Sequence, residues 1–190
     1  MKQVLLALFL SCFATLSAQA QLPSTAELKD SHGDVAVYTN VEEVIREEYI
    51  VYSVWYVNKQ TGMVRKLCTT NPMAEGQWER MQKNNGNGVT VGIDQIAAAD
   101  KAYIFPGYVN KVVVEGCPDS RNIWTYIIDV NTLTAMQISA TEGVQECDWD
   151  RKEIIVSSYG YYEEGGRYTY KKAIDVNGRF LRQVGERERE

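Results

Sequence analysis

Tyr49-Ile-Val-Tyr-Ser-Val-Trp-Tyr-Val57 runs on β-branched and aromatic side chains with hardly a polar break, and Asn58-Lys-Gln-Thr-Gly62 stops it. Such side chains fit a pleated, buried surface, and Asn and Gly bend a chain sharply because they bond their own backbone or tolerate positive φ. The pair therefore reads as a strand entering a hairpin. Asn122-Ile-Trp-Thr-Tyr-Ile-Ile-Asp-Val130 repeats the character of the first strand. Two-sided apolar strands of this kind belong in the middle of a sheet or between two layers. Met63 to Cys68, Leu133 to Ser139 and Val144 to Trp149 alternate instead, as strands do that are covered on one face and wet on the other. Helical signal is confined to Val41–Glu48 and Glu75–Gln82, two short segments.

The turn signal recurs. Asn58 to Gly62, Asp129-Val-Asn-Thr132 and Asp175-Val-Asn-Gly178 each separate two β-rich runs, so three hairpins are expected, centred on 58–62, 130–132 and 176–178. Gly88-Val89 followed by Lys101-Ala-Tyr-Ile-Phe105 is matched by Gly143-Val144 followed by Glu153-Ile-Ile-Val-Ser157. The first copy is longer, with its excess placed partly in Thr69–Gly88 and partly between Gly88 and the second hairpin. Units of about 40–50 residues with four strands are the mark of a propeller blade. Residues 49–184 thus resemble β-propeller-blade hairpin repeats, 49–159 as two blades and 167–184 as half of a third. They carry no fixed Trp-Asp signature of a named family. Closed propellers need typically 4–8 blades, more than this chain can supply. The expected fold is all-β, an antiparallel meander closing as a two-layer sandwich or an incomplete barrel, with an open propeller-like stack as the alternative.

Residues 1–20 read as a signal peptide: Lys2 as the basic start, Val4 to Leu10 as the apolar run, Ala18-Gln19-Ala20 as the cleavage site. The run is too short for a bilayer, which takes about 20 apolar residues. An exported protein, periplasmic or secreted, is expected, beginning at Gln21. The alternative is a lipid anchor on Cys12, which follows Phe9-Leu10-Ser11. Residues 21–33 then form an N-terminal extension, 34–184 a single all-β domain and 185–190 a charged tail.

The chain carries 20 basic and 25 acidic side chains, a net charge of −5. That balance disfavours nucleic acid, whose phosphates call for clustered Lys and Arg. It leaves a protein or a carbohydrate as partner. No later run reaches transmembrane length. Of the cysteines past the leader, Cys68 and Cys117 are the candidate disulfide: both are expected at one rim of the sheet, whereas Cys147 shares a face with Trp149. Three unpaired thiols are the alternative.

The chemistry-bearing residues narrow the function without naming it. His32 is the only histidine. In Ser31-His-Gly-Asp34 its neighbours are sequential rather than convergent, so it forms no triad, and no His/Cys cluster offers a metal site. No cofactor motif is present. Glu42-Glu43, Glu47-Glu48, Asp148 with Asp150, and Glu163-Glu164 place carboxylates side by side, whereas a glycosidase needs them facing each other across about 5–10 Å. Candidate binding residues are aromatic. Trp78 sits in the insertion, where it either contacts a ligand or pins the loop. Tyr159, Tyr161, Tyr162, Tyr168 and Tyr170 flank a Glu-Glu-Gly-Gly turn as a cross-strand ladder, facing a sugar or protein partner if outward and the core if inward. The leading expectation is a non-catalytic exported domain that binds a glycan or a protein, an inhibitor or immunity-type role included. A small carboxylate-dependent hydrolase and an assembly subunit using its edge strands are the alternatives.

Overall fold

The computed structural model describes residues 20–46, 49–118, 123–138 and 143–189. The leader, Cys12 and Glu47-Glu48 lie outside them. The chain folds as three antiparallel meanders, taken in order. The first sheet is β1 (Glu27–His32), β2 (Val35–Arg46), β3 (Tyr49–Asn58) and β4 (Met63–Thr69). A linker follows, carrying the short helix α1 (Trp78–Lys83) and strand β5 (Val89–Val91). The second sheet is β6 (Lys101–Phe105), β7 (Tyr108–Gly116), β8 (Trp124–Asp129) and β9 (Thr134–Ile138), with β5 added beside β9. The third is β10 (Val144–Asp148), β11 (Glu153–Tyr161), β12 (Arg167–Ile174) and β13 (Phe180–Arg189).

These are blades stacked face to face. Val37, Val54, Tyr56 and Leu67 of the first sheet pack on Val112, Val114, Tyr126 and Ile128 of the second. Val113, Ile127 and Ile138 leave the opposite face of the second sheet and meet Ile154, Val156 and Ile174 of the third. The middle sheet is covered on both faces, which is why β8 is buried from Trp124 to Ile128 and mostly apolar, as 122–130 predicts. The fold is all-β and blade-like, and it takes the open-stack form: three layers rather than the two of a sandwich.

The first and third sheets each have one face with no neighbouring sheet, and charged side chains seal both. On the first, Trp55 points outward and gives its indole N–H to Ser53 Oγ at 2.8 Å. Lys66 lies over the ring, 5.8 Å from its centroid, and pairs with Glu42 at 3.4 Å. Two-sided apolar β3 therefore sits in the middle of its sheet, as its pattern predicts, but in a terminal layer whose outer face has a polar roof rather than between two layers. On the third, Arg182 grips the buried Glu153 through both guanidinium nitrogens, one at 2.7 Å, across a face that carries Ile155 and Ala173. Polar outer faces at the end repeats are what terminate a stack of repeating units.

Polar and aromatic side chains tie the blades together. Asp30 on β1 accepts the Ile104 amide of β6 at 2.8 Å. Glu115 on β7, fully buried, accepts the Val144 amide that opens β10 at 2.7 Å. Its other oxygen takes Lys101 and the Tyr103 hydroxyl, each at 3.3 Å. His32 at the end of β1 stacks on Trp149 just past β10, ring centroids 3.9 Å apart. The first strands of the three blades therefore run in the same direction.

Several expectations on boundaries are corrected. Glu27–His32 is a paired strand rather than part of an extension, because its two-residue alternation docks on β2. Val41–Arg46 continues β2 rather than forming helix: it pairs with Tyr49–Tyr52, and that pairing overrides weak local helix preference. The charged tail expected from 185 is mostly β13, paired with β12 as far as Arg189. The repeat is real but its phase shifts. All three recurrent turns join third to fourth strands. Lys101–Phe105 is a first strand equivalent to Val144–Asp148, not to Glu153–Ser157, and the extra length lies wholly between β4 and β6. Short alternating strands look alike in sequence, and only pairing shows which strand opens a unit. The turn chemistry itself holds: Asp129 accepts the amides of Asn131 and Thr132 at 2.8 and 2.9 Å, and Asp175 accepts those of Asn177 and Arg179 at 2.9 and 2.8 Å. Gly62 and Leu133 take the same left-handed place in their hairpins, at φ 71° and 53°.

Candidate functional site

In an up-and-down blade the connection from second to third strand and the link between blades emerge on one rim. Here that rim bears β2–β3, the linker with α1, and β11–β12. Two of these hairpins overshoot their sheets. β1 pairs with β2 only up to Thr39, and β4 pairs with β3 only from Ser53 onward. Residues 41–46 and 49–52 therefore project as a two-stranded arm, with Val41 51%, Val44 60% and Ile45 46% exposed. β10 pairs with β11 only as far as Val156, but β13 accompanies β12 to Tyr168 opposite Arg189, so the arm of the third blade has three strands along part of its length.

The five candidate tyrosines all lie on this third-blade arm, divided between its faces. Ser158 faces Tyr170 and Gly160 faces Tyr168, on the side that carries Val156 and so looks toward the middle blade. Tyr168 is the hub there. Its ring lies 4.7 Å from Tyr162 and 5.9 Å from Tyr170. Arg187 stands 4.6 Å over Tyr168, and Arg189 stands 5.6 Å from the Tyr162 ring. On the opposite face Tyr159 meets Tyr161 edge-on at 5.9 Å and carries Arg167 at 4.3 Å. Tyr161 is 68% exposed. The ladder is thus both inward and outward, and guanidinium groups cover several of its rings. β13 sorts charge by its period of two: Arg187 and Arg189 go to the Tyr168 side, while Glu186 and Glu188 line a shallow cavity of about 350 Å³ with Ser157, Thr169 and Lys171. At the root of the inner face sits Lys172, buried, its amine lowered to about 8 by that burial.

Trp78 opens α1 in the linker and packs edge-on against Trp124, 6.0 Å between centroids, at the margin of the first core. Gly76 has no room for a side chain there: a Cβ would lie 2.8 Å from the Trp78 indole nitrogen and 3.1 Å from the Trp124 ring. The ring holds the linker against the body and stands apart from the tyrosines.

The expected Cys68–Cys117 disulfide is not formed. Cys68 is buried in the first core, Cys117 is exposed beyond β7, and they belong to different blades. Burial pushes the Cys68 thiol up to about 12. Burial first, then the charges of Asp30, Glu115 and Glu146, raise Cys147 to about 11. Both thiols stay protonated and poor as nucleophiles near neutrality. Two members of the acidic pairs serve local structure: Asp148 caps its turn by accepting the Arg151 amide at 2.9 Å, and Glu42 reaches Lys66. Among the described residues no group of His, Cys, Asp and Glu could hold a metal ion, and no helix is long and apolar enough to cross a membrane.

Sequence reasoning missed the arginines, because 185–190 reads as a tail. The signal was present in Glu186-Arg-Glu-Arg189, whose alternation at a period of two is that of a strand with one charge on each face.

The described residues therefore form an open, three-bladed, propeller-like domain with hairpin arms on one rim. A solved structure bears out that class. Acylaminoacyl peptidase of Pyrococcus horikoshii, a propeller-containing enzyme, matches in its orthorhombic crystal form with 12% identity over 86% of this chain and a TM-score of 0.50. Its uncomplexed form matches with 11% identity over 84% of this chain and a TM-score of 0.47. The chain spans about a quarter of the length of the peptidase, 25% in each case, and at this identity the likeness is one of fold alone. No family model matches the chain, and no curated protein matches it.

Proposed function

We propose that the protein is an exported, non-catalytic domain that binds a protein partner through the third-blade arm. The tyrosine–arginine cluster carries this reading. Tyr and Arg are the side chains most enriched where interfaces concentrate their binding energy, since each offers a large contact area with a polar end. A sugar platform needs open ring faces, and here Arg187 stands on Tyr168 and Arg167 on Tyr159. Protein is therefore favoured over glycan. The buried carboxylates support binding over hydrolysis: Glu115 is used in joining two blades and Glu153 is gripped by Arg182.

The test is site-specific photocrosslinking in the producing cell and its medium. A photoreactive residue at position 162, beside Tyr168, should give a discrete protein adduct that disappears when Tyr168 and Arg187 are replaced by Ala. The same probe at position 59, on the opposite rim, should give none. Retention on immobilised glycans with no adduct at 162 would overturn the reading.

A further inference from the structure

We propose that the Tyr168 face of the third-blade arm docks an acidic, extended segment of the partner protein, with Arg187 and Arg189 as the groups that receive its carboxylates. This rests on the reading above and names the chemistry of the partner. In a chain of net charge −5, this one face gathers Arg187, Arg189 and Lys172 around Tyr162, Tyr168 and Tyr170. β13 sends its neighbouring acids, Glu186 and Glu188, to the other side. Among the described residues no carboxylate pairs with Arg187 or Arg189. Their guanidinium carbons lie over tyrosine rings instead, 4.6 Å from the Tyr168 centroid and 5.6 Å from that of Tyr162.

That arrangement is a preorganised anion receptor. Stacking on a ring occupies the face of a guanidinium and leaves its in-plane N–H fork directed outward, the geometry that takes a carboxylate through two parallel hydrogen bonds. The ring also fixes a side chain that otherwise loses much rotamer freedom on binding. Arg187 and Arg189 are two residues apart on one strand, so their spacing matches acids at alternate positions of an extended segment lying along β13. The contrast with the bidentate Arg182–Glu153 pair on the opposite face of the same sheet is direct: that arginine already has its carboxylate, and these two have none among the described residues.

The test uses the mature chain and a fluorescent ten-residue peptide of alternating Glu and Val, with its Gln–Val counterpart, heparin and inorganic phosphate as further probes. Anisotropy should show the Glu peptide binding at least about tenfold tighter than the Gln peptide. Arg187→Ala with Arg189→Ala should abolish that margin, and Lys59→Ala on the other rim should leave it intact. Arg187→Lys keeps the charge but loses the fork, and should still weaken binding several-fold. Affinity should fall as salt rises from about 50 to about 300 mM. Equal binding of both peptides, or indifference to the double arginine variant, overturns the proposal. So does binding of heparin or phosphate without the peptide, which would make the face a receptor for sulfated glycan or a free anion. The outcomes separate the two claims: a crosslink at position 162 with no preference for the Glu peptide removes the acidic segment and leaves the protein partner standing.

Discussion

The two hairpin arms hold the same place in their blades and leave the same rim, yet they are built by opposite means. The first-blade arm is two strands of Val41, Val44, Ile45, Ile50 and Val51, with every described residue of its β2 segment exposed. The third-blade arm is braced by β13 and by a net of tyrosine and arginine contacts. An isolated two-stranded hairpin is marginal in water, whereas a third strand and stacked rings supply burial that the hairpin lacks alone. β2 compensates with protection: register shifts at 41–43 and 44–46, together with Glu42, Glu43 and Arg46, make its open edge a poor template for further pairing. The lesson is that overshoot alone does not make a rigid arm. An arm becomes rigid when a third strand and its own side-chain contacts brace it.

The comparison can be broken most forcefully at the roots of the arms. Trp55→Ala, below the first arm, should cost about 3–5 kcal/mol in urea denaturation; a loss under about 1 kcal/mol would mean that the roof of Lys66 and Glu42 covers nothing of consequence. At the root of the third arm, Lys172→Met should stabilise the protein by about 1–3 kcal/mol at neutral pH. The folded amine titrates near 8 against an ordinary 10.5, so the folded state binds fewer protons between those values. Stability should therefore rise as pH climbs from 8 toward 10.5, with the penalty fully present below 8. The variant should lose that rise, and a rise that persists would assign it to another group.

Smaller effects sharpen the contrast between the arms themselves. Tyr168→Ala removes ring contacts with Tyr162 and Tyr170 and the support of Arg187, for about 1–2 kcal/mol. Val44→Ala on the exposed arm should stay within about 0.5 kcal/mol. Equal costs would erase the distinction. Hydrogen exchange should show the same order, with amides of 41–46 exchanging on the order of a hundredfold faster than those of 167–174.

Much of the architecture was legible beforehand because it is local. Asn58, Asp129 and Asp175 bond amides within four residues of themselves, so their hairpins could be placed from side-chain chemistry alone. Tyr126, Ile127 and Ile128 face alternate cores, and an unbroken apolar run is what such a strand requires. The tyrosines could be singled out by their crowding. Their division between two faces could not, because it depends on the register of β11 against β12. Nor could the fate of Cys68 and Cys117 be read, since a shared rim does not bring two blades within bonding distance.

The amino-acid sequence by itself determined the strands, the turns and a repeat of hairpins, because each follows from side-chain interactions over a few residues and from a period of two. Tertiary structure alone decided where a blade begins, how many layers stack, and that Arg187 and Arg189 lie on tyrosine rings. Those properties belong to pairs of residues brought together from separate strands, and no local pattern along the chain encodes which strand a given edge will meet.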